Sequence, residues 1–550
     1  MSDGRANDEN VIVCRCEDIT LKRLRELIGQ GYRTMDELRR VARCGMGQCQ
    51  GRTCRSLVAQ ELARATGRGL AEVDPCTFRP PTRPVKIGAL ARSHAADGAA
   101  DGAADGGAPT GAPSGAPGGP AGAAVPGARM AAAGADLVDA ARAGSAAMEP
   151  DTGPSITGPP AGAVARPAAR EMADAVIVGG GIIGCATAYK LAQLGLRRVV
   201  VLERSYLASG STGRCGAGVR CQWGTEMNCR LAWESIRQFE RLNQELEYED
   251  DIEFKQGGYL MLAFGERQWQ QFLINVALER GLGIPVETLT PGDARRVVPH
   301  LAAPGLVGAT FCPKDGHCNP FKTVDAYARA ARRRGVEVRT HEAVTGIEVA
   351  NGRVEAVHTA SCRIATPLVL DAAGPHCNIV AHMAGADLPV YTERHQILVC
   401  EPVERMQEPM VISFYHGLYC QQVPNGNFVM GVGDPNEPKG FDIGHSWQFL
   451  EDIAHIVTGL LPALAGLRVI RQWSGLYCIT PDRQPILGAI PAVQGLFVAC
   501  GFSGHGFMIA PMVAEVTAQM MLAQKTTLDV SMLDIGRFAR GELIIEPSVV

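Results

Sequence analysis

The chain has little net charge and no long apolar run. Its 53 basic and 57 acidic residues leave a formal charge of −4 over 550 residues. Such a balance gives no field for gathering nucleic acid or an anionic membrane surface. No uncharged apolar stretch is long enough to cross a bilayer. The first ten residues are polar and lack the apolar centre of an export signal. A cytoplasmic location is therefore expected, with reduced thiols in place of disulfides. A chain of this length is too long for one ordinary core, so two or three domains are expected.

What the chain has in quantity is cysteine, 18 residues in all. Five fall close together near the start: Cys14-Arg15-Cys16, then Cys44-Gly-Met-Gly-Gln-Cys49-Gln-Gly-Arg-Thr-Cys54. Thiolates at that density hold a metal ion or an iron–sulfur cluster more often than they pack a core. Four thiolates also suit tetrahedral zinc, so both readings stay open on spacing alone. Cys76 and the cysteines from Cys185 onward are scattered singly and read as buried apolar residues.

Three segments follow from composition. Residues 10–91 form a charged, helix-rich module. Thr20–Ile28 and Thr34–Ala42 carry apolar residues at helical spacing behind a threonine that can cap each helix. Ser56–Thr66 is predicted as a third helix, and Phe78-Arg-Pro-Pro-Thr-Arg-Pro-Val85 is an extended strap. Residues 92–172 are dominated by Ala, Gly and Pro and are expected to form a flexible tether, with a mean span of about 50 Å for roughly 75 residues. Residues 173–547 read as one large α/β unit. The expected architecture is a doubly wound nucleotide-binding domain with an inserted mixed-sheet substrate domain.

The nucleotide site is the clearest motif. Strand Ala175–Val178 leads into Gly179-Gly-Gly181-Ile-Ile-Gly184, a helix, and a second strand ending at Glu203. Gly179 permits the tight turn, Gly181 the approach of a pyrophosphate, and Gly184 close helix–sheet packing. The helix start offers free N–H groups to the phosphates, and Glu203 can accept hydrogen bonds from ribose hydroxyls. FAD and NAD are both compatible with this fingerprint.

Further motifs separate them. Glu203-Arg204, Gly210-Ser-Thr-Gly-Arg-Cys-Gly-Ala-Gly218, Asp371-Ala-Ala-Gly374, Trp473-Ser-Gly-Leu-Tyr-Cys-Ile-Thr-Pro-Asp482 and Gly501-Phe-Ser-Gly-His-Gly-Phe507 occur in order along the chain. In these residues the chain resembles the D-amino-acid-oxidase-type flavoproteins, in their sarcosine oxidase β-subunit and proline dehydrogenase branch. The resemblance implies noncovalent FAD. It implies cofactor contacts from Gly179, Gly181, Gly184, Glu203, Arg204, Ser211, Thr212, Gly213, Gly218, Ala373, Gly374, Gly475, Gly501, Ser503, Gly504, His505 and Gly506. The helix expected from about Met508 would aim its N–H groups at the pyrimidine ring of a flavin, with His505 as an added donor.

The cysteine module, in its CGMGxCQGxxC run and FRPPxRPV strap, resembles bacterioferritin-associated-ferredoxin-type [2Fe–2S] domains in the form found in opine oxidase and hydrogen cyanide synthase subunits. The resemblance implies Cys14, Cys16, Cys49 and Cys54 as ligands, with Cys44 the fifth thiol whose place in the set stays open.

Together the resemblances imply an amine or amino-acid dehydrogenase. A hydride would pass from the carbon beside nitrogen to flavin N5, and electrons would then leave through the cluster. Sarcosine, proline, hydroxyproline, glycine or an opine-like amine are the expected substrates. An electron-acceptor protein or partner subunit, and so a hetero-oligomer, is expected. The alternative is a noncatalytic electron-transfer subunit of such a complex, and a further one is a plain oxidase with a vestigial cluster. Three departures matter. Tyr477 stands where related oxidases carry a carboxylate-binding arginine. Gly475 stands where monomeric sarcosine oxidases bind FAD covalently. Pro320, not His317, aligns near the histidine that carries a second flavin. Tyr419, His395 and His505 are the catalytic candidates, Tyr415 and His416 further pocket candidates, and Arg220 or Arg394 the carboxylate-binding candidates.

Overall fold

The computed structural model describes residues 11–47, 49–77, 79–81, 83–92 and 169–547. The tether expected over 92–172 lies outside the described residues except at its ends. Its last four residues, Ala169–Met172, form a strand paired in parallel with Cys362–Ala365.

The nucleotide-binding layer is a six-stranded sheet. Its order is Glu337–Thr340, Val199–Glu203, Ala175–Val178, Val369–Asp371, Leu496–Cys500 and Ile486–Ala489. All neighbours are parallel except the last pair. Alternation along Ala175–Val178 explains the layering. Ala175 and Ile177 join a core with the helices Ile182–Gln193, Pro320–Arg333 and Gly506–Met521. Val176 and Val178 face the other way and pack with Ile347, Val357 and Ile364. That second face is covered mainly by a four-stranded sheet and the short helix Cys377–Met383, where a doubly wound domain would carry a full helical layer.

The second large layer is a nine-stranded mixed sheet. Its longest pair, Tyr391–Pro402 and Arg468–Ile479, lies next to one edge, is antiparallel and sets His395 opposite Gly475. One core of this layer gathers Leu398, Phe428 and Val469 against the helix Trp447–Leu460.

The N-terminal module has the three expected helices, Leu21–Gly29, Met35–Ala42 and Arg55–Thr66. Thr20 and Thr34 cap the first two, the second through a full capping box with Glu37. Leu24, Leu27, Leu38 and Leu62 fill its small core. The module sits on the larger unit. Arg23 Nη2 donates to Asp250 Oδ2 at 2.9 Å, Tyr32 OH donates to Asp325, and Arg40 lies 4.4 Å over the Tyr206 ring.

The strap differs from a simple module tail. Pro80 O accepts from Gln472 N at 2.7 Å, and Val85–Lys86 pairs with Arg468–Val469 as the edge of the nine-stranded sheet. Residues 87–92 then turn into a helix, with Ile87 and Leu90 buried in the core of the larger unit. By contact, 85–92 belong to the larger unit although in sequence they close the module. Among the described residues no helix is long and apolar enough to cross a membrane.

Candidate active site and cysteine module

A cavity of about 610 Å³ opens between the two large sheets, at the carboxyl ends of the parallel strands. Of the residues expected to hold the cofactor, Gly179, Gly181, Glu203, Arg204, Ser211, Thr212, Gly218, Ala373, Gly374, Gly475, Ser503, Gly504, His505 and Gly506 line it. Gly184, Gly213 and Gly501 do not line it, and each serves close packing. A Cβ on Gly184 would stand 2.0 Å from Gly179 O, one on Gly213 2.2 Å from Ala208 O, and one on Gly501 2.4 Å from the Thr480 methyl.

The first βα turn is built as the motif requires. Gly179 has φ +112°, and a Cβ there would meet Ala372 O at 2.4 Å. The Glu203 carboxylate accepts from Gly180 N at 2.8 Å and Ser205 N at 2.8 Å, which holds it at the cavity wall. Thr212 Oγ1 accepts from Ile182 N at 3.2 Å, and Ser211 Oγ donates to Leu476 O at 2.7 Å. These bonds pin the 211–214 turn between the nucleotide helix and the long strand.

At the far end His505 caps the helix Gly506–Met521 and is 3% exposed. Neither ring nitrogen has a hydrogen-bond partner. Burial, and then the charge of Arg220, push its pKa down to about 3, so the ring is neutral and keeps one N–H to donate. Its ring meets Trp223 edge-on at 5.0 Å, and the Arg220 guanidinium lies 3.7 Å over the same indole while donating to Gln222 O at 2.6 Å. Arg220, Trp223 and Tyr259 all line the cavity.

The other catalytic candidates are also brought together. His395 stacks on Tyr477 at 3.7 Å between centroids and is hydrogen-bonded to Glu393 at 3.0 Å. Tyr419 and Tyr477 both line the cavity, and burial holds both phenols above their ordinary pKa. Tyr415 and His416 do not line it. Their rings pack on Phe264, and His416 Nδ1 is bonded to Ser413 Oγ at 2.8 Å. Arg394 is also outside, ion-paired to Glu437 and Asp442 at 2.8 Å each. Trp223 and Tyr259 were not singled out from the sequence, because nothing in their spacing marks them.

In the module the thiols form two pairs. Cys14 is hydrogen-bonded to Cys54, and Cys16 to Cys49. The bond from Cys54 pulls Cys14 down to about 6, helped by backbone N–H groups of Gly45, Cys16 and Glu17. Cys49 is pulled below its ordinary value against its own burial by N–H groups of Thr53, Gly51 and Arg52 and by Cys16. Cys44 is different, with burial pushing it up to about 12. Among the described residues no three of these five sulfurs lie within 4.8 Å of one another.

The remaining cysteines are buried as expected, except Cys76 and Cys215, which are half-buried. They are not all single in space. Cys377, Cys478 and Cys500 lie within 4.8 Å of one another, as do Cys221 and Cys312 with Asp315.

Comparison with known proteins agrees with this geometry. Residues 174–520 match the family described as FAD dependent oxidoreductase, and residues 9–94 match the sarcosine oxidase A3 domain. The chain therefore belongs to the FAD-dependent oxidoreductase family. It is 30% identical to sarcosine oxidase subunit beta of an Arthrobacter species over 70% of this chain and 95% of that one. It is 28% identical to sarcosine oxidase subunit beta of Rhodobacter capsulatus over 70% and 92%. Among solved structures, L-proline dehydrogenase from P. horikoshii is 34% identical, with a TM-score of 0.65 over 68% of this chain and all of that one. The family binds FAD. Gly181 at the helix start, where a Cβ would meet only Thr212 Oγ1 at 3.3 Å, and the partnerless nitrogens of His505 line the same cavity and fit a dinucleotide with a polar ring.

Proposed function

We propose that the protein oxidises a small amino acid or N-alkylated amino acid at the carbon beside nitrogen. Electrons would leave through a [2Fe–2S] cluster held by Cys14, Cys16, Cys49 and Cys54. The observation that carries the first half is the trio Arg220, Trp223 and His505 at one end of the cavity. Arg220 places a cation on the cavity wall where Tyr477 supplies none, so it is the candidate anchor for a substrate carboxylate; Arg394 lies outside the cavity. This favours an enzyme over a relay subunit. Relatives named for sarcosine, glycine and L-proline support substrates of this class.

Bound FAD would supply the hydride acceptor. Arg220 binds the carboxylate and fixes which carbon faces the flavin. Trp223, Tyr259 and Tyr419 narrow the cavity and exclude water. His505, neutral and held at a helix start, has an N–H free to donate and would offer it to the ring of a bound flavin. Its N–H holds the proton throughout. His395 and Tyr477 form a stacked wall of the cavity.

Two thiol pairs support a two-iron cluster over a single zinc ion. A tetrahedral zinc with bonds of about 2.3 Å needs all four sulfurs within roughly 4 Å of one another. A cluster with two metals takes one pair per metal. Backbone N–H groups turned toward Cys14 and Cys49 stabilise thiolates in either case. Relatives named as subunits support a hetero-oligomer with an acceptor partner.

The test is anaerobic mixing of the purified chain with sarcosine, L-proline, hydroxyproline, glycine and an opine, each followed at the flavin band and by iron and sulfide assay. Bleaching by at least one, with iron and sulfide in equal amounts, is expected. Intact FAD that none of them bleaches returns the chain to a relay role.

A further inference from the structure

Five arginines converge between the cysteine loop and the flavin cavity. Arg39 and Arg40 are successive residues in the last turn of Met35–Ala42 and point apart. Arg39, 5% exposed, donates Nη1 to Thr77 O at 2.8 Å and reaches Gly45 O, inside the cysteine loop, with Nη2 at 3.5 Å. Its Nε has no partner. Arg40 lies over Tyr206, which lines the flavin cavity, and its Nη1 has no partner. Arg79 comes from the strap and Arg471 from the long strand, brought together where Gln472 N donates to Pro80 O. Arg214 completes the group on the cavity wall, bonded to Ser474 O at 3.1 Å.

These guanidinium groups are within electrostatic range of one another, and Asp36 is the carboxylate they share. Burial is the first cause lowering each, with neighbouring arginines adding to it for Arg39, Arg40, Arg79 and Arg471. Arg79 is held down to about 10. Gathering like charges out of water is costly unless an anion faces them. Asp36 is a single negative charge facing five positive ones, and an anionic cluster in the loop that Arg39 reaches at Gly45 would supply more.

We propose that Arg39, Arg40, Arg79 and Arg471 are positioning residues that supply the counter-charge for an anionic cluster in the cysteine loop and so favour its reduction from the flavin side. The inference rests on the two-iron reading above. A tetrathiolate cluster is anionic, and its negative charge grows by one with each electron. The guanidinium groups stabilise the extra charge left when an electron from reduced flavin turns one ferric ion ferrous; no proton need move. Arg39 and Arg40, on one helix, place that stabilisation between the loop and Tyr206.

The experiment is an anaerobic redox titration of the full holoprotein, with the cluster read by electron paramagnetic resonance and the flavin by absorbance. The variants are Arg471→Gln, Arg79→Gln and Arg471→Lys, with exposed Arg230→Gln as the control. Each glutamine variant is expected to shift the cluster's equilibrium about tenfold against reduction, the order of one charge interaction at an effective dielectric of about 20. For a one-electron couple that is about 59 mV. Lysine should restore most of the shift, and Arg230→Gln should cause none. Iron and sulfide in equal amounts with unmoved cluster potentials in both glutamine variants would overturn the inference and leave the two-iron reading standing. Absence of iron and sulfide from the unaltered protein overturns both.

Discussion

The flavin cavity and the cysteine module are built by opposite means. The cavity is a backbone device. Gly179 and Gly184 let the turn and the helix close up where any Cβ would strike a backbone oxygen, and so bring the start of the helix at Ile182 to the cavity. Side chains such as Glu203 and Thr212 chiefly brace that backbone. On the two-iron reading proposed above the module would be a side-chain device, with four sulfurs as ligands and backbone N–H groups turned toward Cys14 and Cys49. A backbone site fails through added bulk, whereas a sulfur site fails through loss of one atom.

Single substitutions sharpen that contrast. Cys49→Ala should remove all iron and sulfide while FAD stays bound and still bleaches with substrate, as read by metal assay and flavin absorbance. Gly184→Val should do the reverse, because a Cβ there falls 2.0 Å from a carbonyl oxygen. FAD should be lost on gel filtration while iron content persists. A less complete effect is expected from Arg220→Met, which keeps the packing on Trp223 but not the charge. The kcat/KM for a carboxylate-bearing amine should fall roughly 10²- to 10³-fold, with little change for an amine lacking the carboxylate.

The smallest of these effects is on stability. Glu279 is 2% exposed, and burial followed by the charge of Asp315 pushes its pKa up to about 8. A carboxyl raised on folding binds its proton more tightly in the native state. Its contribution is therefore full below about 4.5 and is lost as pH rises through about 8. Glu279→Gln should flatten that part of the dependence of Tm on pH between about 5 and 9. An unchanged slope would mean the proton is not held there.

Much of the cavity was legible in the sequence, because a strand–glycine–helix pattern fixes local geometry within a few residues. The threonine caps at Thr20 and Thr34 were legible for the same reason. Gly213 and Gly501 sit within recognisable motifs yet pack against Ala208 and Thr480, so motif membership did not distinguish contact from support. Trp223 and Tyr259 enter the site by tertiary folding alone. The arginine group was equally hidden, since its members come from a helix, a strap, a turn and a strand far apart in the chain. Tyr415 and His416, read as pocket residues, point instead to Phe264, because residues 414–417 form the turn between two strands and leave the strand face that meets the cavity.

The edge strand Val85–Lys86 changes what the long Ala/Gly/Pro run can control. The polypeptide enters that run from one anchorage on the larger unit, at residues 85–92, and returns at another, Ala169–Met172. The spacing between flavin and sulfur loop is then set by Tyr32, Arg23 and the strap, and not by the length of the excursion. Shortening 93–168 by half should leave the proposed electron-transfer rate between flavin and cluster unchanged, since the contacts that fix the spacing lie outside those residues.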